Sequence, residues 1–478
     1  MVDVTVVGSG PNGLAAAVTA ARAGLEVRLV DAADSLGGGI RSAELTLPGF
    51  RHDVCSAVHP AAMASPFFRA FGLTERLDWI VPDVSYAHPL DGGRAGIAWR
   101  DLDRTVDALG RDGRAWRRLF GPLVRRIEGV VDFTGSQLLR MPADPLAAVR
   151  FGLRALDQGT GLWNRRFSGD VAPAMLTGVA AHAPGRHPSL AAAGAGLLLA
   201  THAHGAGWGF PRGGSQAIAD VLVADLLAHG GTVHTGTRIE SFDQLEQSRV
   251  TLLDTSIELL LNAELPGGYR RALERFRFGP GVAKVDFALS GPVPWENPEV
   301  RLAPTVHLGG TRAEVAAAEH AVLRREVPEH PYVLVTQPSV LDDSRAPEGQ
   351  HVLWAYIHVP NGSAVDATEL VTAQVERFAP GFRDLILGSA SRTAQELAAY
   401  NPNYVGGDIS SGALTLWQLV KRPVVSPHPW RTPVEGVYLC SSATPPGPAV
   451  HGMNGWYAAT LALRDRFGIT DPPPLSAV

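Results

Sequence analysis

Cysteine is nearly absent from this chain: Cys55 and Cys440 are the only two in 478 residues. Two isolated thiols build no disulfide framework, and their scarcity points to a reducing compartment, with both read as small buried hydrophobes. No C-x-x-C pair occurs, which excludes dithiol redox chemistry. Lysine is equally rare, with only Lys284 and Lys421, and arginine supplies the remaining positive charge. The 42 basic side chains nearly balance 47 acidic ones, so neither a basic face for nucleic acid nor a charged tail is present. Long apolar runs are missing too. Leu190 to Ala203 comes nearest, but it is too short to span a bilayer and is interrupted by glycine and histidine. The first core strand starts at Val2, leaving no room for a signal peptide, so a cytoplasmic protein is expected. The histidines show no metal-ligand spacing, no Ser-His-Asp arrangement can be argued, and G-x-S-x-G has no convincing strand–turn–helix context. No internal repeat or long low-complexity linker divides the chain, and the proline-rich end after Asp471 is expected to fray. The length allows two or three domains and at least one large core.

What is present is concentrated in Val2 to Arg41. Val4 to Val7 form an apolar run suited to a buried parallel strand. Gly8, Gly10 and Gly13 then fit G-x-G-x-x-G: a tight bend, a close backbone approach to a pyrophosphate, and close helix–strand packing. Pro11 falls where a helix's first turn tolerates a missing N–H, and the helix start offers free amides to phosphate. Ala15 to Ala23 form a small-residue helix, and Gly24 stops it. Asp31 closes the next strand, about twenty residues on, where an acid hydrogen-bonds a ribose hydroxyl. The strand, turn, helix and acid together predict dinucleotide binding.

Past this unit, Gly37-Gly38-Gly39 allow a second close backbone approach, and Arg41 can face phosphate or a flavin edge. Pro66 to Leu73 reads as a short helix and Val81 to Trp99 as strands around Asp91-Gly92-Gly93. Asp101 to Ala203 reads as a mainly helical insertion, with breaks at Pro142, Pro145 and Pro184. Its stripe from Trp116 to Leu139 carries Arg117, Arg118, Arg125 and Arg126, which fits a solvated helix face or peripheral contact with a membrane. Ala217 to Ala228 is a clear helix, and Gly230 to Ile239 a turn and strand. Val250 to Asp254 follows as the next sheet strand. Ala303–Leu308, Lys284–Leu289, Tyr332–Thr336 and His351–Val359 alternate as a second, largely antiparallel sheet. Ala364–Phe378 and Phe382–Ser389 read as helices. Gly436 to Gly455, followed by a helix from Trp456 to Phe467, forms a second strand–turn–helix cradle.

The Gly37-Gly38…Arg41 cluster resembles the GG-motif of the glutathione-reductase-type FAD fold shared by amine oxidases and phytoene desaturases. Asn401 to Ser410, Gln418 to Pro423 and Ser441 to Ala459 resemble the bacterial branch of phytoene desaturase-like oxidoreductases, related to carotenoid isomerases, retinol saturases and the pyridine nucleotide-disulfide oxidoreductase domain-containing proteins. The resemblance covers nearly the whole chain. It implies an α/β fold: a discontinuous Rossmann-like FAD-binding domain from residues 1–95, 205–280 and 430–478, and an α+β substrate domain from 96–204 and 281–429. FAD contacts are implied for Gly8, Gly10, Pro11, Asn12, Gly13, Asp31, Ala32, Gly37, Gly38, Gly39 and Arg41. Arg238 and Ile239 in the middle, and Ser442, Val450, Gly452 and Met453 near the end, complete the set. One departure stands out: related flavoproteins carry a Gly-Asp pair after the last strand, where this chain has Ser441-Ser442-Ala443. The β-hairpin usually inserted after the Ile239 strand is expected to be trimmed.

The chemistry implied is hydride transfer from carbon to flavin with loss of a neighbouring proton, leaving a C=C bond in a largely apolar substrate. No second strand–GxGxxG–helix unit exists, Gly194-Ala195-Gly196 lacking the third glycine, so a dedicated NAD(P)H domain is not expected. Reoxidation by oxygen, a quinone or another acceptor remains. His59 and His451, in segments expected beside the flavin, are the candidate acid–base or binding residues. His202 and His204 either line a cavity or face one side of a loop. A flavin-dependent isomerase and a non-catalytic FAD-retaining protein stay open as alternatives, and a homodimer is allowed.

Overall fold

The computed structural model describes residues 2–245 and 247–476. Val2–Val7 is the centre of a five-stranded parallel sheet, with Ser248–Leu253 and Val437–Leu439 on one side and Val27–Val30 and Thr232–His234 on the other. The strands come from both ends and the middle of the chain, so the dinucleotide-type sheet is discontinuous. Its helices pack tightly because their contact residues are small. Pro11–Arg22, alanine-rich and almost wholly buried, lies against Met453–Ala462 and Gln216–Ala228. A Cβ on Gly455 would fall 1.8 Å from the Asn12 carbonyl oxygen, so only glycine permits this helix–helix approach.

A second sheet of seven strands runs in the order Ile386–Arg392, Gly281–Leu289, His351–Val359, Val333–Thr336, Thr305–Leu308, Val84–Leu90, Arg94–Trp99. All its pairings are antiparallel except that of Thr305–Leu308 with Val84–Leu90. Strand alternation gives its faces opposite characters. Ala283, Val285, Phe287, Val333, Val335, Ala355 and Ile357 join one apolar cluster, sealed by Val371, Val375 and Phe378 of the helix Thr368–Phe378. The register puts Lys284, Asp286, Thr336, Trp354 and Tyr356 together on the other face. The helical insertion, centred on Trp116, Leu119, Phe120, Leu197 and Trp208, forms its own core.

Four sequence expectations are corrected. Phe382–Ser389 is helical only in a single 3-10 turn, Arg383–Leu385: Ile386–Arg392 is the edge strand beside Gly281–Leu289, its small residues hiding the alternation while ladder hydrogen bonds hold it. The strand ahead of Ile239 ends at His234, and Gly236 (φ +64°) turns the chain, leaving Arg238 and Ile239 in a loop. Val84–Trp99, placed by sequence mostly within the first dinucleotide segment, pairs into the second sheet instead. The arginine stripe is two helices, Gly113–Val124 and Ile127–Thr134, with Arg117 paired to Asp103 and Arg126 to Asp144. The exposed apolar row lies further on, at Leu146, Val149, Leu153 and Leu156 of the helix Pro145–Gly159.

Candidate active site

A cavity of about 840 Å³ runs from the glycine-rich turn of the first sheet to the polar face of the second. At one end Gly8, Gly10, Pro11 and Asn12 line it, with Asp31 and Ala32 from just past the strand Val27–Val30. A Cβ on Gly38 would lie 2.9 Å from Gly10 Cα, so the two glycine clusters touch backbone to backbone. Asp31 holds this corner: Oδ2 accepts from the Ser9 amide (2.7 Å) and hydroxyl (2.5 Å), and Oδ1 from the Ala33 amide (2.8 Å). Gly38, Gly39, Arg41, Arg238, Ile239, Ser442 and Val450 also line the cavity. Arg41 Nε donates to the Gly38 carbonyl, and its guanidinium lies over the Tyr400 ring. Ser442 receives a long hydrogen bond from Asn12 Nδ2, while its carbonyl accepts from buried Arg422.

Four expected contact residues do not line the cavity but build its walls. Gly13 presents its amide to Asp254, and a Cβ there would meet the Gly8 carbonyl oxygen at 2.0 Å. Gly37 (φ +115°) gives its amide to Ser9 Oγ. Gly452 (φ +67°) faces the Phe67 ring too closely for any Cβ, and Met453 opens the last helix.

The two histidine candidates separate. His451 is buried outside the cavity lining, and its Nδ1 accepts the Met453 amide at 3.1 Å. That contact engages Nδ1 at the start of the helix Met453–Ala462. His59 does line the cavity. Ser215 Oγ gives its single proton to the Ser56 carbonyl (2.7 Å), so His59 Nε2, 2.8 Å away, must be the donor to Ser215. That fixes the tautomer and leaves Nδ1 with a 3.4 Å contact to Ser56 Oγ. Burial lowers the His59 pKa to about 4, so the ring is neutral near pH 7. His202 and His204 lie on the helix Leu190–Gly205, not on a loop. His202 lines the cavity, whereas His204 is locked between Trp116 Nε1 and the Trp99 carbonyl.

Other site residues were not singled out from the sequence. Asp254 follows the strand Ser248–Leu253, and its Oδ2 accepts the Gly13 amide at 2.8 Å. Burial, with the charge of nearby Asp31, pushes its carboxyl up to about 7 against that hydrogen bond. Beneath the site, Arg345 bridges Asp53 and Asp342, each at 2.9 Å, with all three side chains almost wholly buried. Asp53 in turn accepts from Ser42 Oγ and the Ser215 amide. At the far end Leu198, Leu199, Leu334, Thr336, Trp354, Tyr356 and His182 line the cavity. Cys55 is there too, its thiol pushed up by burial and hence protonated. The strand alternation could have placed Thr336, Trp354 and Tyr356 on one face; nothing local marked His182 or Asp254.

A parallel dinucleotide sheet whose cradle opens into a mixed sheet defines a nucleotide-cofactor oxidoreductase fold. The family of NAD(P)-binding Rossmann-like domains matches residues 6–71. Pyridine nucleotide-disulfide oxidoreductase domain-containing protein 2 of Rattus norvegicus is 24% identical over 97% of this chain and 93% of its own length. Phytoene dehydrogenase of Streptomyces griseus is 27% identical, covering 81% of this chain and 78% of that enzyme. The crystal structure of an oxidoreductase from Methanosarcina mazei superposes with a TM-score of 0.61 at 15% identity, covering 96% of this chain and 99% of the other. By these likenesses the chain is an oxidoreductase, similar to phytoene dehydrogenases and to pyridine nucleotide-disulfide oxidoreductase domain-containing proteins.

Proposed function

We propose that this protein is an FAD-dependent dehydrogenase or oxidase that removes hydride and a proton from neighbouring carbons of a small, largely apolar molecule, forming a C=C bond. One observation carries the reading: a single cavity joins the glycine cradle to a chamber beside the second sheet. Its residues fit a flavin dinucleotide. Gly8 and Gly10 pack on Asp254, and Gly38 on Gly10, with no room for a Cβ, so the two glycine turns sit together at the cavity end, where a pyrophosphate would lie beside the ribose acid Asp31. When bound, the flavin supplies the two-electron acceptor. The chain's own residues hold it, orient the substrate against the second sheet and exclude water. His59, with its tautomer fixed by Ser215, presents a neutral ring at the junction. Oxygen, a quinone or another acceptor would take the electrons from the reduced cofactor.

The test is the visible spectrum of gently purified protein, followed by anaerobic addition of candidate substrates. Bound flavin that bleaches on substrate addition supports the reading. Well-folded protein without flavin, and unable to take up added FAD, overturns it. Bleaching by none of the candidates while activity appears only after prior reduction favours the isomerase alternative.

A second reading concerns location. Among the described residues no helix is long and apolar enough to cross a membrane. Yet Leu146, Val149, Leu153 and Leu156 form an exposed row on one helix, near exposed Leu139 and Met141 (83% exposed). We propose that this row rests on a lipid surface, where apolar substrates partition. Co-flotation with liposomes, lost on Leu153→Glu, tests it; wild-type protein that fails to float sinks it.

A further inference from the structure

Two acids flank the glycine turn at the closed corner of the cavity. Asp31 accepts from the Ser9 amide and hydroxyl and from the Ala33 amide, donors that suit a carboxylate. Asp254 approaches from the other side, just past the strand Ser248–Leu253, 9% exposed and part of the cavity wall. Its Oδ2 accepts the Gly13 amide at 2.8 Å, and a Cβ on Gly10 would fall 2.5 Å from that same oxygen. The carboxyl therefore lies against the turn itself.

No cation answers it. Among the described residues Asp254 belongs to no ion pair, and the arginines that line or back the cavity are engaged elsewhere. Arg41 gives Nε to the Gly38 carbonyl and lies over Tyr400. Arg238 is paired with Glu240 at 3.0 Å, and Arg422 donates to the Ser410, Ser411 and Ser442 carbonyls. The other titratable groups of this corner bring no positive charge: Cys440 is a buried, protonated thiol, and Glu258 is a further acid. Burial, partly offset by the Gly13 amide and reinforced by the charge of Asp31, pushes the Asp254 carboxyl up to about 7. Its proton is therefore exchangeable near neutral pH.

A dinucleotide would bring one negative charge on each phosphate to the same turn. Buried charges are poorly screened, so a carboxylate against the turn opposes that anion and a neutral acid does not. We propose that Asp254 must carry its proton for the cradle to hold a dinucleotide, so that cofactor binding takes up one proton from solvent and cofactor release gives it back. The proton adds to a carboxylate oxygen while that group still accepts the Gly13 amide, and no electrons move. Retention of the cofactor then weakens as pH rises through neutrality. This inference rests on the dinucleotide reading of the cavity, and it makes Asp254 a positioning residue whose charge state sets cofactor affinity.

Equilibrium dialysis of the protein as purified against FAD, from about pH 6 to about pH 8.5, tests it, because the FAD pyrophosphate keeps its charge across that range. One linked proton changes affinity by up to about tenfold per pH unit above the carboxyl's own value. The wild-type dissociation constant should therefore rise at least about tenfold over the range, and that of Asp254→Asn less than about threefold. Mixing FAD with weakly buffered wild type at about pH 8 should also raise the pH, by up to about one proton taken up per FAD bound. Circular dichroism checks that the fold persists at each pH. Should Asp254→Asn fail to fold, Asp254→Ser takes its place, and the proton uptake of wild type decides independently. A wild-type constant flat with pH, binding without proton uptake, or a folded variant as steep as wild type overturns the proposal. FAD that binds equally well at both ends of the range sinks this inference alone. Well-folded protein that takes up no FAD at any pH sinks the flavin reading, and this inference with it.

Discussion

His182 and His307 meet Nε2 to Nε2 at 2.8 Å, one from the end of a cavity-lining helical turn and the other from the buried strand Thr305–Leu308. At that separation one ring must donate and the other accept, so the pair holds together only when at least one is neutral. Burial, with the charge of His358, lowers the His182 pKa to about 3, and His307 is driven well below its ordinary value by burial and by its neighbours His182 and His88. The contact is thus intact near pH 7 and lost when both rings charge.

The pH dependence of stability follows. His52 and His182 are lowered to about 3, and His59, His88, His187, His202, His204 and His451 to about 4, chiefly by burial. Their unfolded values lie near 6.5. Between those limits the unfolded chain binds more protons than the folded one, so stability falls as pH drops. The contribution is complete above about pH 6.5 and is lost progressively towards pH 3–4. The melting temperature should fall by roughly 10 °C or more between pH 7 and pH 5. A flat profile across that window would show that these rings are not buried neutral.

Arg345 offers a sharper single-residue test. Its guanidinium neutralises Asp53 and Asp342 at 2.9 Å each, and Asp53 in turn orients Ser215, the partner of His59. Arg345→Met strands two buried carboxylates and should cost about 3–5 kcal/mol in urea unfolding at pH 7. The loss should be smaller at acid pH, where the carboxyls protonate. An Arg345→Met variant as stable as wild type would mean the triad contributes nothing.

The cradle itself is tested by Gly38→Ala. Gly38 sits at φ +53°, and the added Cβ would press to 2.9 Å from Gly10 Cα. Only the backbone can yield, and it would do so where the pyrophosphate of the proposed cofactor would fit. Flavin retention after desalting should drop at least about tenfold, with little change in far-ultraviolet circular dichroism. Unchanged flavin content would place the cofactor elsewhere.

These residues differ in how visible they were beforehand. Gly8, Gly10, Gly13 and Asp31 act through backbone conformation and local spacing, which a sequence displays directly, and the parallel sheet built around them matches that reading. The edge strand Ile386–Arg392 was missed because Gly388, Ser389 and Ser391 carry almost no hydrophobic alternation; its ladder partner, Gly281–Leu289, far earlier in the chain, decides its conformation. Arg238 and Ile239 were assigned to a strand that Gly236 cuts short. His451 looked like a flavin neighbour by position, yet its ring is spent on the helix start. The hydrogen-bonding state of Thr336 and Trp354 depends on what packs against a sheet face, and no local pattern encodes it.

Asp254 illustrates the same limit and gives the last test. It lies 241 residues from Gly13 yet accepts its amide, filling the space behind the glycine turn that a side chain on Gly10 would need. Its carboxyl is raised from 3.8 to about 7, so the folded protein holds this proton more tightly than the unfolded chain. Any stability gained from that proton is complete below the unfolded value and is lost as pH rises through about 7. Asp254→Asn keeps an oxygen for the Gly13 amide and never ionises. Its stability relative to wild type should therefore rise from near parity at pH 4 to an advantage of roughly 2–4 kcal/mol at pH 8. The histidine effects, common to both proteins, cancel in the difference. Asp254→Ala instead leaves the amide without its acceptor and should lose about 1–3 kcal/mol at acid pH. An Asn variant whose relative stability does not change with pH would show that Asp254 ionises normally, and that the carboxylate rather than the acid stands behind the cradle.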